Sequence, residues 1–308
     1  MLIVGIDENG LGPLLGPLVV TGASFRAPSY DRERFFSLAG PDLKAADSKV
    51  IFAPGRAAAA EDAVLRWLDV FGCGARDSAQ LEEKIVAPAP FEAGCPPEIP
   101  GICTGEPLAL PRVAARRSGG PSLGVRERFD RVGTKAGNVA SHVLCAGAFN
   151  RALEARAANK LRLDFALMMS IARHLCGGRG EGEGDDALVL CGKVGGTASY
   201  GAWLEAEGLE VVEVIREGRD ESAYEVRGLG RIRFLRGGDA AHLPIAVASM
   251  VGKYLRELAM ERLSRALGRE GRTRVSGYRD RRTAQFVAET AAERAEAGIS
   301  DACFLRRA

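Results

Sequence analysis

Leu2, Ile3, Val4 and Ile6 open the chain as a nearly unbroken apolar run that leads into Asp7 and Glu8, then into Asn9-Gly10-Leu11-Gly12-Pro13. Leu18, Val19 and Val20 resume the apolar character. Short apolar runs bounded by glycine and proline read as buried strands, so residues 2–7 and 17–26 are expected to form a hairpin. From Arg56 to Phe71, the positions Ala60, Val64, Trp67, Leu68 and Phe71 recur at three- and four-residue steps, which predicts an amphipathic helix stopped by Gly72. The same spacing predicts helices over 136–158 (Val139, Val143, Leu144, Phe149, Leu153) and 160–176 (Leu163, Leu167, Ile171, Leu175), closed by a glycine-rich acidic loop at 177–186. Strands are expected at 187–191, 211–215 and 231–235, and a long helix from about 242 to 267. Interleaved strands and helices favour an α/β fold, a mixed sheet covered by helices.

The pattern lapses in one stretch. Seven of the fourteen prolines fall between Pro88 and Pro111, and Ser118-Gly119-Gly120-Pro121 follows. Residues 87–124 are therefore expected to be irregular rather than core, within an inserted region bounded at 87–135. No internal repeat is present, and the chain reads as one enlarged domain over 1–308.

Asp7 and Glu8 carry the first candidate chemistry. Neighbouring strand residues point to opposite faces, so two adjacent carboxylates converge only where the strand ends. The glycine- and proline-studded turn is expected to end it there. A metal-dependent nuclease places carboxylates in this way; the bland alternative is a polar hairpin tip.

The wider segment favours the first reading. Asp7-Glu8-Asn9-Gly10-Leu11-Gly12-Pro13-Leu14-Leu15-Gly16-Pro17-Leu18-Val19-Val20 resembles the opening motif of the ribonuclease HII family, D-E-A-G-R-G-P-x-x-G-P-V-V. Asp47-Ser48-Lys49 with Arg56 is similar to its D-S-K…R element. Gly238-Asp239-Ala240, followed by Pro244-Ile245-Ala246-Val247-Ala248-Ser249-Met250-Val251-Gly252-Lys253, resembles its G-D-A…S-I-A-A-A-S-I-V-A-K helix. The family continues that helix as x-x-R-D; here the continuation is Arg256-Glu257. Residues from about 57 to 186 have no recognisable counterpart.

The resemblance implies a ribonuclease H-like fold, Mg²⁺ or Mn²⁺ as cofactor, and cleavage of the RNA strand of an RNA–DNA hybrid to a 3′-hydroxyl and a 5′-phosphate. It also implies four acidic ligands: the Asp-Glu pair, an Asp ending a central strand and an Asp on the matched helix. Asp7 and Glu8 supply the first two. Glu257 stands at the helix position, one methylene longer, so Asp7, Glu8 and Glu257 are the expected catalytic and metal-binding residues. The competing reading makes Lys253, Glu257 and Glu261 a salt-bridge stripe. The strand-end position matches Gly192, which has no carboxylate. Asp186 lies about 17–20 Å away along the strand, leaving Glu217, Asp220 or Glu221 as loop acids that would have to reach it. The resemblance further assigns substrate contact to Gly10, Leu11, Gly12 and Tyr278, which would meet the ribose 2′-hydroxyl that marks RNA, and to Lys49, which would meet phosphate. Leu11 replaces the family's arginine and its bidentate donors. The leading expectation is a divergent metal-dependent endoribonuclease. The alternative is a catalytically impaired hybrid-binding protein on the same fold, and an interaction scaffold is a third reading.

Composition changes this picture little. The net charge of +2 advertises no global attraction to nucleic acid, but basic residues cluster locally. One cluster holds Arg112, Arg116, Arg117, Arg126, Arg128, Arg131 and Lys135; another holds Arg272, Arg274, Arg279, Arg281 and Arg282. Seven cysteines without a C-x-x-C pair argue against a disulfide framework or zinc site, and His142, His174 and His242 lack metal spacing. No segment approaches 18 uninterrupted apolar residues, so a soluble, cytoplasmic protein without a membrane partner is expected.

Overall fold

The structure, a computed structural model, describes residues 1–40, 43–91, 106–113, 123–155, 159–177, 186–269 and 275–307. Its strands are β1 (Leu2–Asn9), β2 (Leu18–Arg26), β3 (Lys135–Leu144), β4 (Ala187–Gly192), β5 (Val211–Arg216), β6 (Glu221–Val226) and β7 (Gly230–Leu235). They form one mixed sheet in the order β3-β2-β1-β4-β7-β6-β5. β1 pairs antiparallel with β2 from Leu2↔Arg26 to Asn9↔Val19, and parallel with β4 from Leu2↔Ala187 to Ile6↔Cys191. β4 in turn runs parallel to β7, Gly192 facing Leu235. The carboxyl ends of β1, β4 and β7 therefore open on the same edge of the sheet. The continuous apolar run of β1 follows from its central place, covered on both faces.

The helices are α1 (Arg32–Ala39), α2 (Ser48–Ile51), α3 (Ala57–Val70), α4 (Ser78–Ile85), α5 (Leu123–Arg131), α6 (Ala146–Ala155) and α7 (Lys160–Cys176). They continue with α8 (Gly201–Ala206), α9 (Gly238–Ala241), α10 (Leu243–Ala266), α11 (Arg281–Glu289), α12 (Ala291–Glu296) and α13 (Asp301–Phe304). No helix of the described residues is long and apolar enough to cross a membrane. On one face, Ile3, Leu188 and Leu190 pack with Val247 and Val251 of α10 and with Val64 and Trp67 of α3. On the other, Val4, Ile6, Val189 and Cys191 pack with Leu167, Met168 and Ile171 of α7. Each such side chain contributes about 1.5–3 kcal/mol on burial.

Two glycines set the register of α10 on the sheet. A Cβ on Gly5 would fall 2.1 Å from the Pro244 carbonyl carbon, and one on Gly252 would fall 2.8 Å from Asn9 Nδ2 and Thr21 Oγ1. Between these contacts α10 advances about 12 Å and β1 about 13 Å, so helix and strand run side by side in the same direction. Ser249 is thereby delivered to Asp7.

Several expectations are corrected. Residues 136–158 are not one helix: residues 135–144 form β3 and the helix begins only at Ala146. Pairing with β2 overrides the helical spacing of the valines, because Gly137 lets the backbone close on Ser24, whose hydroxyl accepts from Asn138 N at 2.8 Å. Leu108 and Leu110 are buried core residues, which corrects the expectation for 87–124, and Val125 and Phe129 are buried in the rest of the region bounded at 87–135; residues 92–105 and 114–122 lie outside the described residues. Of the loop at 177–186, only Gly177 and Asp186 are described, and Asp186 pairs with the amino terminus at 3.3 Å, at the end of the sheet away from Gly192. β6 had no expectation in the sequence reading. It is the middle strand of a meander that extends the sheet beyond β7.

Candidate active site

A cavity of about 660 Å³ opens at the carboxyl ends of β1, β4 and β7, with Asp7, Glu8, Gly192, Asp239 and Ser249 among its walls. β1 continues to Asn9 instead of ending at the acidic pair, so Asp7 and Glu8 leave the backbone on opposite sides. Asp7 turns toward α10, on the side where Ser249 lines the same cleft. Burial pushes the Asp7 carboxyl well above the usual carboxylate range, the neighbouring Ser249 hydroxyl opposes this, and Glu8 and Asp239 add to the rise. Glu8 accepts the Leu11 backbone N–H at 3.2 Å across the strand end. Burial raises its pKa too, opposed by that N–H and by Arg306, Lys49 and Arg256.

The third acid of the cleft is Asp239, which the sequence reading quoted within a motif without giving it a role. β7 ends beside Gly192, Gly237 turns the chain at φ 61°, and the short α9 carries Asp239 to the cleft. Burial raises its pKa as well, with Asp47 adding to the effect. The G-D-A match was the available signal.

Glu257 is not brought to the pair. Eight residues beyond Ser249 on α10, it lies about 12 Å further along the helix axis, where it pairs with Lys253 at 3.1 Å and lines a neighbouring hollow of about 430 Å³. Glu261 pairs with Arg265 at 3.1 Å. The salt-bridge stripe is therefore the arrangement observed.

The position at Gly192 stays without a carboxylate, and the loop acids are engaged elsewhere. Glu217 accepts from Ser199 at 2.7 Å and from Tyr224 at 2.5 Å, Asp220 pairs with Arg236 at 3.4 Å, and Glu221 with Arg233 at 2.7 Å. Lys193, next to Gly192, donates to the Thr197 and Gly218 carbonyls at 2.9 and 2.7 Å and to Ser222 Oγ at 3.0 Å, tying the two loops at this end of the sheet. A further carboxylate lies beneath the cleft. Asp164 of α7 is 0 % exposed, and neither of its oxygens has a hydrogen-bond partner. Burial pushes its pKa well up, reinforced by Glu8 and Asp7. The sequence reading passed over it; a charge inside the apolar stripe from Leu163 to Leu167 was the clue.

The residues expected to meet substrate do gather here. Gly10, Leu11, Gly12, Lys49 and Tyr278 all line the cleft. Gly10 has φ 93°, and a Cβ there would fall 2.7 Å from Arg256 Nε and 2.8 Å from the Pro17 carbonyl oxygen. Gly12 faces the ring edge of Tyr278, which is 52 % exposed. Arg256, buried on α10, joins these segments by donating from Nη2 to the Leu15 and Ser276 carbonyls at 3.1 and 3.0 Å. Leu14 N and Leu15 N both donate to the Gly277 carbonyl, at 2.7 and 3.0 Å.

Members of the basic clusters named from the sequence stand away from the acidic cleft, with Arg112 and Arg282 lining the neighbouring hollow. Arg128 holds the Leu38 and Ala39 carbonyls, Arg112 faces Glu261 at 3.8 Å, and Arg116, Arg117, Arg272 and Arg274 lie outside the described residues. The cleft draws its cations from other segments: Lys49, Lys193, Arg219, Arg236, Lys253 and Arg256. His142 bonds Ala87 O and Ser170 Oγ, and His242 bonds Tyr30, so both are structural.

Among the described residues, no three His, Cys, Asp or Glu side chains form a ready-made metal cage. Asp7, Glu8 and Asp239, which line the cleft together from different sides, are all-oxygen side chains of the kind that a hard divalent cation takes. Gly192 adds no donor for a second.

No family model matches the chain. It is 35% identical over 106 residues to a ribonuclease HII of Gluconobacter oxydans (strain 621H), a match that covers 32% of this chain and 47% of the relative, about half its length. Among solved structures, Bst-RNase HIII in complex with Mn²⁺ superposes over 99% of this chain and 66% of its own, at 14% identity and a TM-score of 0.50. The RNase HII of Archaeoglobus fulgidus, solved with PCNA, covers 99% of this chain and 93% of its own at 15% identity and a TM-score of 0.47. Over the matched residues the chain resembles a ribonuclease HII, and its mixed sheet with helices on both faces shares the fold of the Bst-RNase HIII neighbour.

Proposed function

We propose that this ribonuclease HII-like chain is a divergent metal-dependent endoribonuclease that cleaves the RNA strand of RNA–DNA hybrids. The observation that carries the reading is that Asp7, Glu8 and Asp239 all line one cation-rimmed cleft at the carboxyl ends of three parallel strands. Ligands of α/β sheets bind at such edges. The resemblance to a ribonuclease HII supports the substrate class, and the Mn²⁺ bound to the Bst-RNase HIII neighbour supports a hard divalent cation.

Asp7 and Glu8 would hold Mg²⁺ or Mn²⁺, with Asp239 completing the negative field. When bound, such an ion lowers the pKa of an attacking water and stabilises charge on the phosphate. The remaining work falls to the protein. The Leu11 N–H orients Glu8, and Ser249 of α10 stands in the cleft wall beside Asp7. Lys49, Lys193, Arg219 and Arg236 offset the charge of the phosphodiester. Gly12 leaves the turn bare beside Tyr278, so a ribose can approach the backbone there, while Gly10 makes room for the Arg256 guanidinium against the turn. Leu11 offers shape without the donors of an arginine.

The vacancy at Gly192 favours a second reading, a hybrid-binding protein on the same fold with catalysis impaired. Incubating purified protein with a labelled RNA–DNA hybrid and Mg²⁺, Mn²⁺ or EDTA, beside Asp7→Asn, decides between them. Metal-dependent RNA cleavage that Asp7→Asn abolishes supports the nuclease; binding without cleavage in either metal overturns it in favour of the second reading.

A further inference from the structure

The turn at Leu11 and Gly12 has two sides. One faces the acidic cleft; the other faces a separate cavity of about 260 Å³ that shares Leu11 and Gly12 as a common wall. Lys160, Arg279, Arg306 and Arg307 also line it, and no carboxylate does. Arg307 is paired with Glu154, which lies outside the lining. Lys160 and Arg279 make no hydrogen bond or ion pair among the described residues.

Arg306 is the floor of this cavity. It is 3 % exposed, and its guanidinium lies 4.9 Å from the centroid of the Phe149 ring. Its backbone N–H donates to the Leu14 carbonyl at 2.9 Å, and its Nη2 donates to the Pro13 carbonyl. Nε and Nη1 have no acceptor. Burial, then Arg256 nearby, depress the Arg306 pKa to about 10, so it keeps its charge at neutral pH. Lys160 adds the first turn of α7, a 17-residue helix whose N-terminal end carries partial positive charge. A buried arginine with orphaned donors beside two unpaired cations is a site shaped for an anion.

A nucleic-acid strand supplies an anion at every step, about 3.4 Å of rise along one strand. We propose that this cavity is a subsite for a non-scissile backbone phosphate of the bound strand, contacted by Lys160 and Arg279 above Arg306. It rests on the hybrid-cleaving reading for the identity of the strand. A phosphate held on each side of the same turn would hold the strand across Gly12 and so place the intervening ribose against the exposed backbone.

The test uses the full chain in EDTA, so that binding is read without cleavage. Hybrids carrying one neutral methylphosphonate at successive positions of each strand are titrated against the wild type, Lys160→Ala/Arg279→Ala, and a control, Arg32→Ala/Arg34→Ala, whose residues line neither cavity. In the wild type and the control, one neutral linkage away from the scissile position is expected to weaken binding about tenfold. The Lys160→Ala/Arg279→Ala protein is expected to bind the all-phosphate hybrid about tenfold more weakly, to be indifferent to that linkage, and to show a salt slope reduced by one to two (about one per lost contact). Lys160→Arg/Arg279→Lys should restore the sensitivity, and matching circular dichroism melts confirm folding. A double-alanine variant that keeps the wild-type pattern of sensitivity overturns the subsite and leaves the nuclease reading intact. Coupling seen in a protein that never cleaves supports the subsite and removes the nuclease. A wild type that binds no hybrid overturns both.

Discussion

The Cβ that Gly192 lacks would fall 2.6 Å from Oδ1 of Asp7. The missing carboxylate at this position is thus not an empty slot into which any side chain fits: Asp7 already occupies the space. Gly192→Ala is expected to push Asp7 aside, lower stability by about 1–3 kcal/mol and weaken any metal response. A thermal melt with and without Mn²⁺ checks this; unchanged melting in both conditions would show that Asp7 has room to yield.

Asp239 and Glu257 exchange the importance that the sequence suggested for them. Asp239→Asn is expected to reduce hybrid cleavage by at least about two orders of magnitude. Glu257→Gln, which weakens the Lys253 pair outside the cleft, is expected to stay within about threefold, since an i,i+4 pair contributes a few tenths of a kcal/mol. Initial rates of both variants at matched metal concentration decide the assignment.

Asp164 makes stability depend on pH in a definite direction. Its folded-state pKa is raised above the unfolded value, so the folded protein binds more protons over the interval between the two. Stability is then full below the unfolded pKa and falls as pH rises toward the folded one. Asp164→Asn removes this dependence. At pH 8 it is expected to be more stable than the wild type by about 1–3 kcal/mol, the usual penalty of an uncompensated buried polar group. Denaturant melts at pH 5 and pH 8 measure it, and a variant less stable than the wild type at both values contradicts the account.

Arg256 acts by geometry. Its Nη2 reaches two carbonyls, of Leu15 and Ser276, that belong to the glycine turn and the Tyr278 loop. A lysine lacks the planar fork, so Arg256→Lys is expected to cost about 1.5–3 kcal/mol of stability. It should also raise KM more than it lowers kcat. Steady-state kinetics separate the two.

What the sequence by itself determined is local and periodic. The apolar run of β1, the amphipathic α3 and the long α10 were readable because each residue's environment repeats with the element's own period. The acidic pair and the glycine turn were readable as a contiguous motif. Tertiary structure alone decided the rest. Residues 135–144 became a strand because β2 offered a partner close enough at Gly137. Asp239 entered the site, and Glu257 left it, because Gly5 and Gly252 fix where α10 lies along β1. Asp164, far from the motifs in sequence, came beneath Glu8 because α7 crosses under the sheet. Periodicity records which face of an element is buried; it carries no information about how far one element slides along another. That displacement is set by close contacts between residues distant in the chain, and it selects which carboxylates meet.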